Sequence, residues 1–80
     1  MADDQTTDQA ILQRIQDLVA EEHRLQSLSP AEQGTRLRDV QVEIDQCWDL
    51  MRQRRALRAA GQDPAKAQVR PKEVVEKYEQ

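Results

Sequence analysis

Residues 37–60 read LRDVQVEIDQCWDLMRQRRALRAA, and this stretch decides the fold. Leu37, Val40, Ile44, Cys47 and Met51 recur at spacings of three, four, three and four, the seam of one helix packing on another. Trp48 flanks that seam, one turn from Ile44 and from Met51. Beyond Met51 the face turns basic: at about 100° per residue, Arg54, Arg55 and Arg58 take the positions that would continue it. An offset strip, Leu50 and Leu57, begins there. One helix therefore addresses two surfaces, one along its first half and another over its last turns.

Upstream, Thr6 with Gln9 has the form of a capping box, with Thr7 as an alternative cap, and Asp8 suits the positive end of a helix dipole. A helix over 7–28 follows, with Ile11, Leu12, Ile15, Leu18, Val19 and Leu25 as its apolar stripe. Glu22 interrupts that stripe. It is either a carboxylate reaching for an Arg on the next helix or a buried polar group that specifies register. Ser29-Pro30-Ala31-Glu32 starts the second helix with a capping Ser, a first-turn Pro and a third-position Glu. That helix is expected over 30–60, ending at Gly61; Gly34 weakens its second turn by up to about 1 kcal/mol. Residues 1–6 are expected to be disordered, and 61–80 to form a partly ordered tail with short helical turns at Pro64 and at Val74, Val75 and Tyr78.

Composition agrees with this reading. The chain has 80 residues, 34% of them charged and 2% aromatic, which favours a single small helical domain. A core of this size rarely yields more than about 3–5 kcal/mol, so a staple or a partner is needed. One Cys forms no internal disulfide, and no metal-ligand spacing is present, which leaves oligomerisation. The acidic start MADDQTTD is not a signal peptide, and no run approaches the roughly 18 apolar residues of a membrane span. A lone free thiol suits a reducing cytoplasm. The net charge of −3 is unevenly placed: residues 51–60 carry four Arg and no acid.

A short link around residue 29 makes the helices antiparallel neighbours, with residue i facing about residue 58 − i. Ile15 then faces Ile44, Ile11 faces Cys47, Leu18 faces Val40, and Glu22 faces Arg36 and Leu37. The second helix overhangs the first by roughly 15 Å beyond Met51. Leu50 and Leu57 in that overhang call for cover, either from the tail or from a second copy.

Four constellations suggest chemistry. His23 and Cys47 lie roughly 18 Å apart along the helix axis in this register, too far for a shared zinc site with ligands near 2.0–2.3 Å. Asp45 and Asp49 sit four apart, with Arg52 following Asp49 by three, which reads first as a solvated ion-pair ladder. Arg52, Arg54, Arg55 and Arg58 form a candidate phosphate-binding cluster, but no aromatic residue interleaves them, and Asp3, Asp4 and Asp8 approach them in this register. Trp48 reads as hairpin core near the open end or as an interface anchor.

The runs LVAEEHRL, IDQCWDLMRQRRALR and VRPKEVVEKY resemble a small actinobacterial family catalogued as domain of unknown function 2630. The resemblance spans nearly the whole chain and is most specific over residues 45–55. It implies a bacterial cytosolic protein and carries no catalytic residues.

The sequence thus predicts an all-α antiparallel two-helix hairpin with a longer second helix, able to dimerise into a helical bundle. The expected function is a non-enzymatic interaction module that self-associates or docks a partner protein through the end of the second helix. Trp48, Met51, Arg52, Arg54, Arg55, Leu57 and Arg58 are its binding residues, and Glu22 is the buried polar candidate. No cofactor, metal, membrane or small-molecule substrate is expected. The alternative is an accessory factor that binds nucleic acid or ribosome through the Arg cluster.

Overall fold

The computed structural model describes residues 7–71, and its elements are α1 (Asp8–Gln26), α2 (Pro30–Gln33), α3 (Arg36–Ala59) and a 3-10 turn (Pro64–Lys66). α1 and α3 pack against each other as an antiparallel hairpin, the expected fold class. The expectations for residues 1–6 and for a turn at Val74, Val75 and Tyr78 lie outside the described residues.

The caps follow local chemistry. The Thr7 hydroxyl accepts from Ala10 N at 3.1 Å and begins α1. Ser29 and Glu32 form a complete capping box: Ser29 N donates to Glu32 Oε1 at 2.9 Å, and Glu32 N donates to Ser29 Oγ at 3.3 Å. α3 ends in a Schellman motif, in which Gln62 N donates to Leu57 O at 2.8 Å and Gly61 N to Arg58 O at 3.0 Å. Gly61 takes the positive φ of 72° that this motif requires.

The expected continuous helix over 30–60 is broken after one turn. Gly34 adopts φ 55° and ψ −132°, a conformation that only glycine enters cheaply, and the chain re-enters a helix at Arg36. The short turn is held to the end of α1 by Gln33. Its Nε2 donates to Leu25 O at 3.0 Å and Leu28 O at 3.1 Å, carbonyls at and just past the end of α1. The sequence identified Gly34 as a weak point but not as a corner.

This corner lengthens the connection to residues 27–35 but leaves the register as expected: Arg14 pairs with Glu43 and Glu21 with Arg36, each within one residue of the 58 − i relation. Asp8 meets Arg54 and Arg58, the approach to the Arg cluster that this register anticipated. Leu18 and Val40 share a cluster as expected, with Leu25, and with Leu28, Leu37, Ile44 and Cys47 partly buried around them. Ile11 and Cys47 also meet as expected, in a second cluster that holds Ile15 and Leu50, with Val19, Met51 and Ala67 packed around it; Ile44 packs on the first cluster. α3 runs on for about 12 Å beyond Met51, close to the overhang expected.

A Cβ added at Gly34 meets nothing within 4 Å, so its cost is purely conformational. Gly34→Ala should lower the unfolding free energy by about 1–3 kcal/mol in urea denaturation. A variant as stable as the parent would show that the corner does not require glycine.

Candidate interaction face

The two flanks of the hairpin differ. One is closed by ion pairs: Arg14 Nη2 lies 2.7 Å from Glu43 Oε2, and Arg36 grips Glu21 with Nε at 2.7 Å and Nη2 at 2.9 Å. Exposed pairs of this kind add little stability, because water screens them.

The same flank of α3 carries the returning tail. Gln46 Nε2 donates to Arg70 O at 3.2 Å. Gln53 makes both bonds of an amide pair with Gln68, donating to its O at 2.6 Å and accepting from its N at 3.2 Å. Ala67 packs on the Ile11–Ile15–Leu50 cluster, so Leu50 is buried by the chain's own tail. Val69 rims the shallow groove between Arg14, Cys47 and Leu50 but stays largely exposed.

Asp49 anchors this arrangement. It is fully buried and accepts two bonds from Arg70, one of them from Nε at 2.8 Å, and a third from Gln53 Nε2 at 3.0 Å. Arg52 Nη2 lies 3.7 Å away. The Arg70 guanidinium holds the Asp49 carboxyl below its ordinary pKa despite the opposing effect of burial, with Gln53 assisting. The buried carboxylate is therefore Asp49, not Glu22. Glu22 is half-buried at the flank, where it accepts from Gln41 Nε2 at 3.2 Å, while the neighbouring Glu21 takes Arg36. The ladder expected at Asp45 and Asp49 is not a solvated one at Asp49, because the tail covers that face.

The basic end of α3 is largely engaged from within. Arg54 is buried; its Nε donates to Asp8 Oδ1 at 2.5 Å and its Nη1 to Pro64 O at 3.3 Å. Arg58 Nη2 lies 2.7 Å from Asp8 Oδ2. These two cations, Arg58 first, hold the Asp8 carboxyl down at about 2. Leu57 is half-buried, and Arg55 stays exposed. Of the two covers expected for Leu50, the tail is the one observed, through Ala67.

The vacant surface is the opposite flank. Leu12 and Val19 each lie two residues before Arg14 and Glu21, about 200° around α1 and so across the seam from the ion pairs. Ile44, Trp48 and Met51 occupy the matching side of α3. Trp48 is 43% exposed and Leu12 40%; Val19, Ile44 and Met51 are half-buried. Gln16 and His23 edge this strip on α1, and Gln41, Asp45, Arg52 and Arg55 edge it on α3. Trp48 is therefore not hairpin core. The apolar period located it; only the side chosen by the tail shows that its flank is the open one.

Cys47 is half-buried between the two clusters, where burial pushes its thiol pKa up, and His23 is exposed near the end of α1. Among the described residues, no group of three or more His, Cys, Asp or Glu side chains is placed to hold a metal ion.

The family model described as "Protein of unknown function (DUF2630)" matches residues 7–80. The chain belongs to the DUF2630 family. Its DUF2630 membership agrees with its similarity to the uncharacterised protein Mb0922c of Mycobacterium bovis and the uncharacterised protein Rv0898c of Mycobacterium tuberculosis. Each is 50% identical to it, over 90% of both chains. No solved structure matches. The DUF2630 description assigns no catalytic activity, so the geometry must carry the functional reading.

Asp8 and Asp49 both have folded-state pKa values below the unfolded value of about 3.9, so their stabilisation is complete above that value. It is lost as pH falls toward about 2, the value to which Asp8 is lowered. The urea midpoint should hold from neutrality to about pH 5 and then fall, and Asp8→Asn should flatten the fall. A midpoint that rises on acidification would contradict the assignment. Asp49→Asn at pH 7 should cost about 2 kcal/mol, discounted from a fully buried pair because Arg70 is part-exposed, and should speed proteolysis of the tail.

Proposed function

We propose that this DUF2630 protein is a non-enzymatic helical interaction module, and that it works by burying the flank formed by Leu12, Val19, Ile44, Trp48 and Met51. One observation carries the reading: the hairpin covers one flank with ion pairs and its own tail, yet leaves its only Trp 43% exposed on the other. A large aromatic side chain ringed by polar groups, Arg among them, is the composition of a binding hot spot. Of the residues expected to bind, Trp48 and Met51 stand on this flank and Arg52 and Arg55 on its edge. Arg54 and Arg58 serve the hairpin itself through Asp8.

The non-enzymatic part of the proposal fits a family whose description names no activity. Nucleic-acid binding has less support, because Arg54 and Arg58 are paired with Asp8 and Arg52 lies beside Asp49. No described helix is long and apolar enough to cross a membrane. The cytoplasmic setting is part of the proposal and rests on the lone free thiol of Cys47.

A photo-crosslinking amino acid placed at Trp48, compared with one at Gln13 on the outer face of α1, tests the reading in cells that make the full chain. Protein adducts from position 48 and none from position 13 are expected. Equal labelling from both positions, or none from 48, would contradict it.

A further inference from the structure

We infer that the occupant of the open flank is a second copy of this chain, set against the first about a two-fold axis that crosses α3 at Trp48. This rests on the interaction reading above and names its partner. Three observations on different levels lead to it.

The first is thickness. The molecule measures 47 × 29 × 15 Å between Cα atoms, so it is a single layer of helices. Stable domains bury apolar faces between two layers, and among the described residues the buried apolar core is Ile11, Ile15, Leu18, Leu25, Val40 and Leu50. No disulfide is available to the single Cys47, and no metal cluster is present among the described residues. A second hairpin supplies the missing layer and completes a four-helix bundle.

The second is area. α1 has 19 residues and so presents about 28 Å of length, and two helices at 8–10 Å spacing present about 18–20 Å of width. The footprint is on the order of 500–600 Å² per copy, at the low end of specific interfaces, which bury about 800 Å² per partner. A micromolar dimer fits that size better than an obligate one.

The third is charge. Asp45 lies three residues before Trp48 and Arg52 four residues after it, both on the edge of the open flank. An axis at Trp48 that runs α3 antiparallel to its copy sets Asp45 opposite Arg52 of the second copy, and repeats the pair by symmetry. Arg52 already has Asp49 at 3.7 Å, and a guanidinium with five donors can serve both carboxylates. A patch whose acid and base are exchanged by its own two-fold axis fits itself, and an unrelated partner would have no need of that symmetry.

Sedimentation equilibrium on the full chain at about 100 µM, well above a micromolar constant, should give twice the 9.3 kDa chain mass. Trp48→Glu should sediment as a monomer with the parent helix content by circular dichroism. Asp45→Arg and Arg52→Asp each place like charges opposite each other twice, and each alone should weaken association about tenfold, or about 1.4 kcal/mol. Mixing these two variants should restore dimers, because every Asp then meets an Arg. Recovery on mixing cannot come from a folding defect.

A parent chain that stays at 9.3 kDa overturns the inference, as do single variants that gain nothing from mixing. The photo-crosslinker at Trp48 separates the two levels. A monomeric parent that still forms adducts with another protein refutes the second copy and leaves the interaction reading standing; a monomer without adducts removes both.

Discussion

The backbone corner at Gly34 joins the two long helices, and every contact across the hairpin depends on that joint. Its φ of 55° ends α2 after one turn, and Gln33 ties that turn to the carbonyls at the end of α1. At the open end of the seam Asp8 comes to Arg54 and Arg58, and Leu50 joins Ile11 and Ile15. The basic end of α3 is thereby satisfied from within. The tail needs only a 3-10 turn and an extended stretch to close over it.

That closure is made mostly of polar bonds. Gln46 and Gln53 bond the backbone of the tail, and Asp49, between them on the helix, takes the Arg70 side chain. The tail contributes little apolar area beyond Ala67, so its attachment depends on the ionised state of Asp49 and on an intact α3. Because the tail occupies one flank, whatever covers Leu12 and Trp48 must come from outside the described chain. The hairpin spends its own residues on one side and presents a continuous apolar strip on the other.

The helical seam was legible in the sequence because apolar residues recur with the helical period, as were the Ser29–Glu32 box and the stop at Gly61. The depth of the break at Gly34 was not, since the same dipeptide context is compatible with a frayed turn. That one difference split the expected second helix into α2 and α3. Asp49 was hidden for another reason: spacing along α3 shows which residues share a face but not that a distant Arg70 returns to it. Trp48 and Met51 were identified from pattern alone; Leu12 and Val19 were assigned to the core, because a stripe of that width gives no sign of which edge stays open. The family resemblance carried by residues 45–55 agrees with the match to DUF2630 over residues 7–80, but it adds no chemistry to the surface.

The central claim is that the flank around Trp48 is covered by another copy in solution, and Trp48, as the only Trp, reports on it directly. Its emission should shift to the blue, and become less accessible to acrylamide, as the chain is concentrated from nanomolar to about 100 µM, through the range expected for an interface of this size. Emission that keeps the same solvent-exposed maximum and the same quenching across that range would contradict the account.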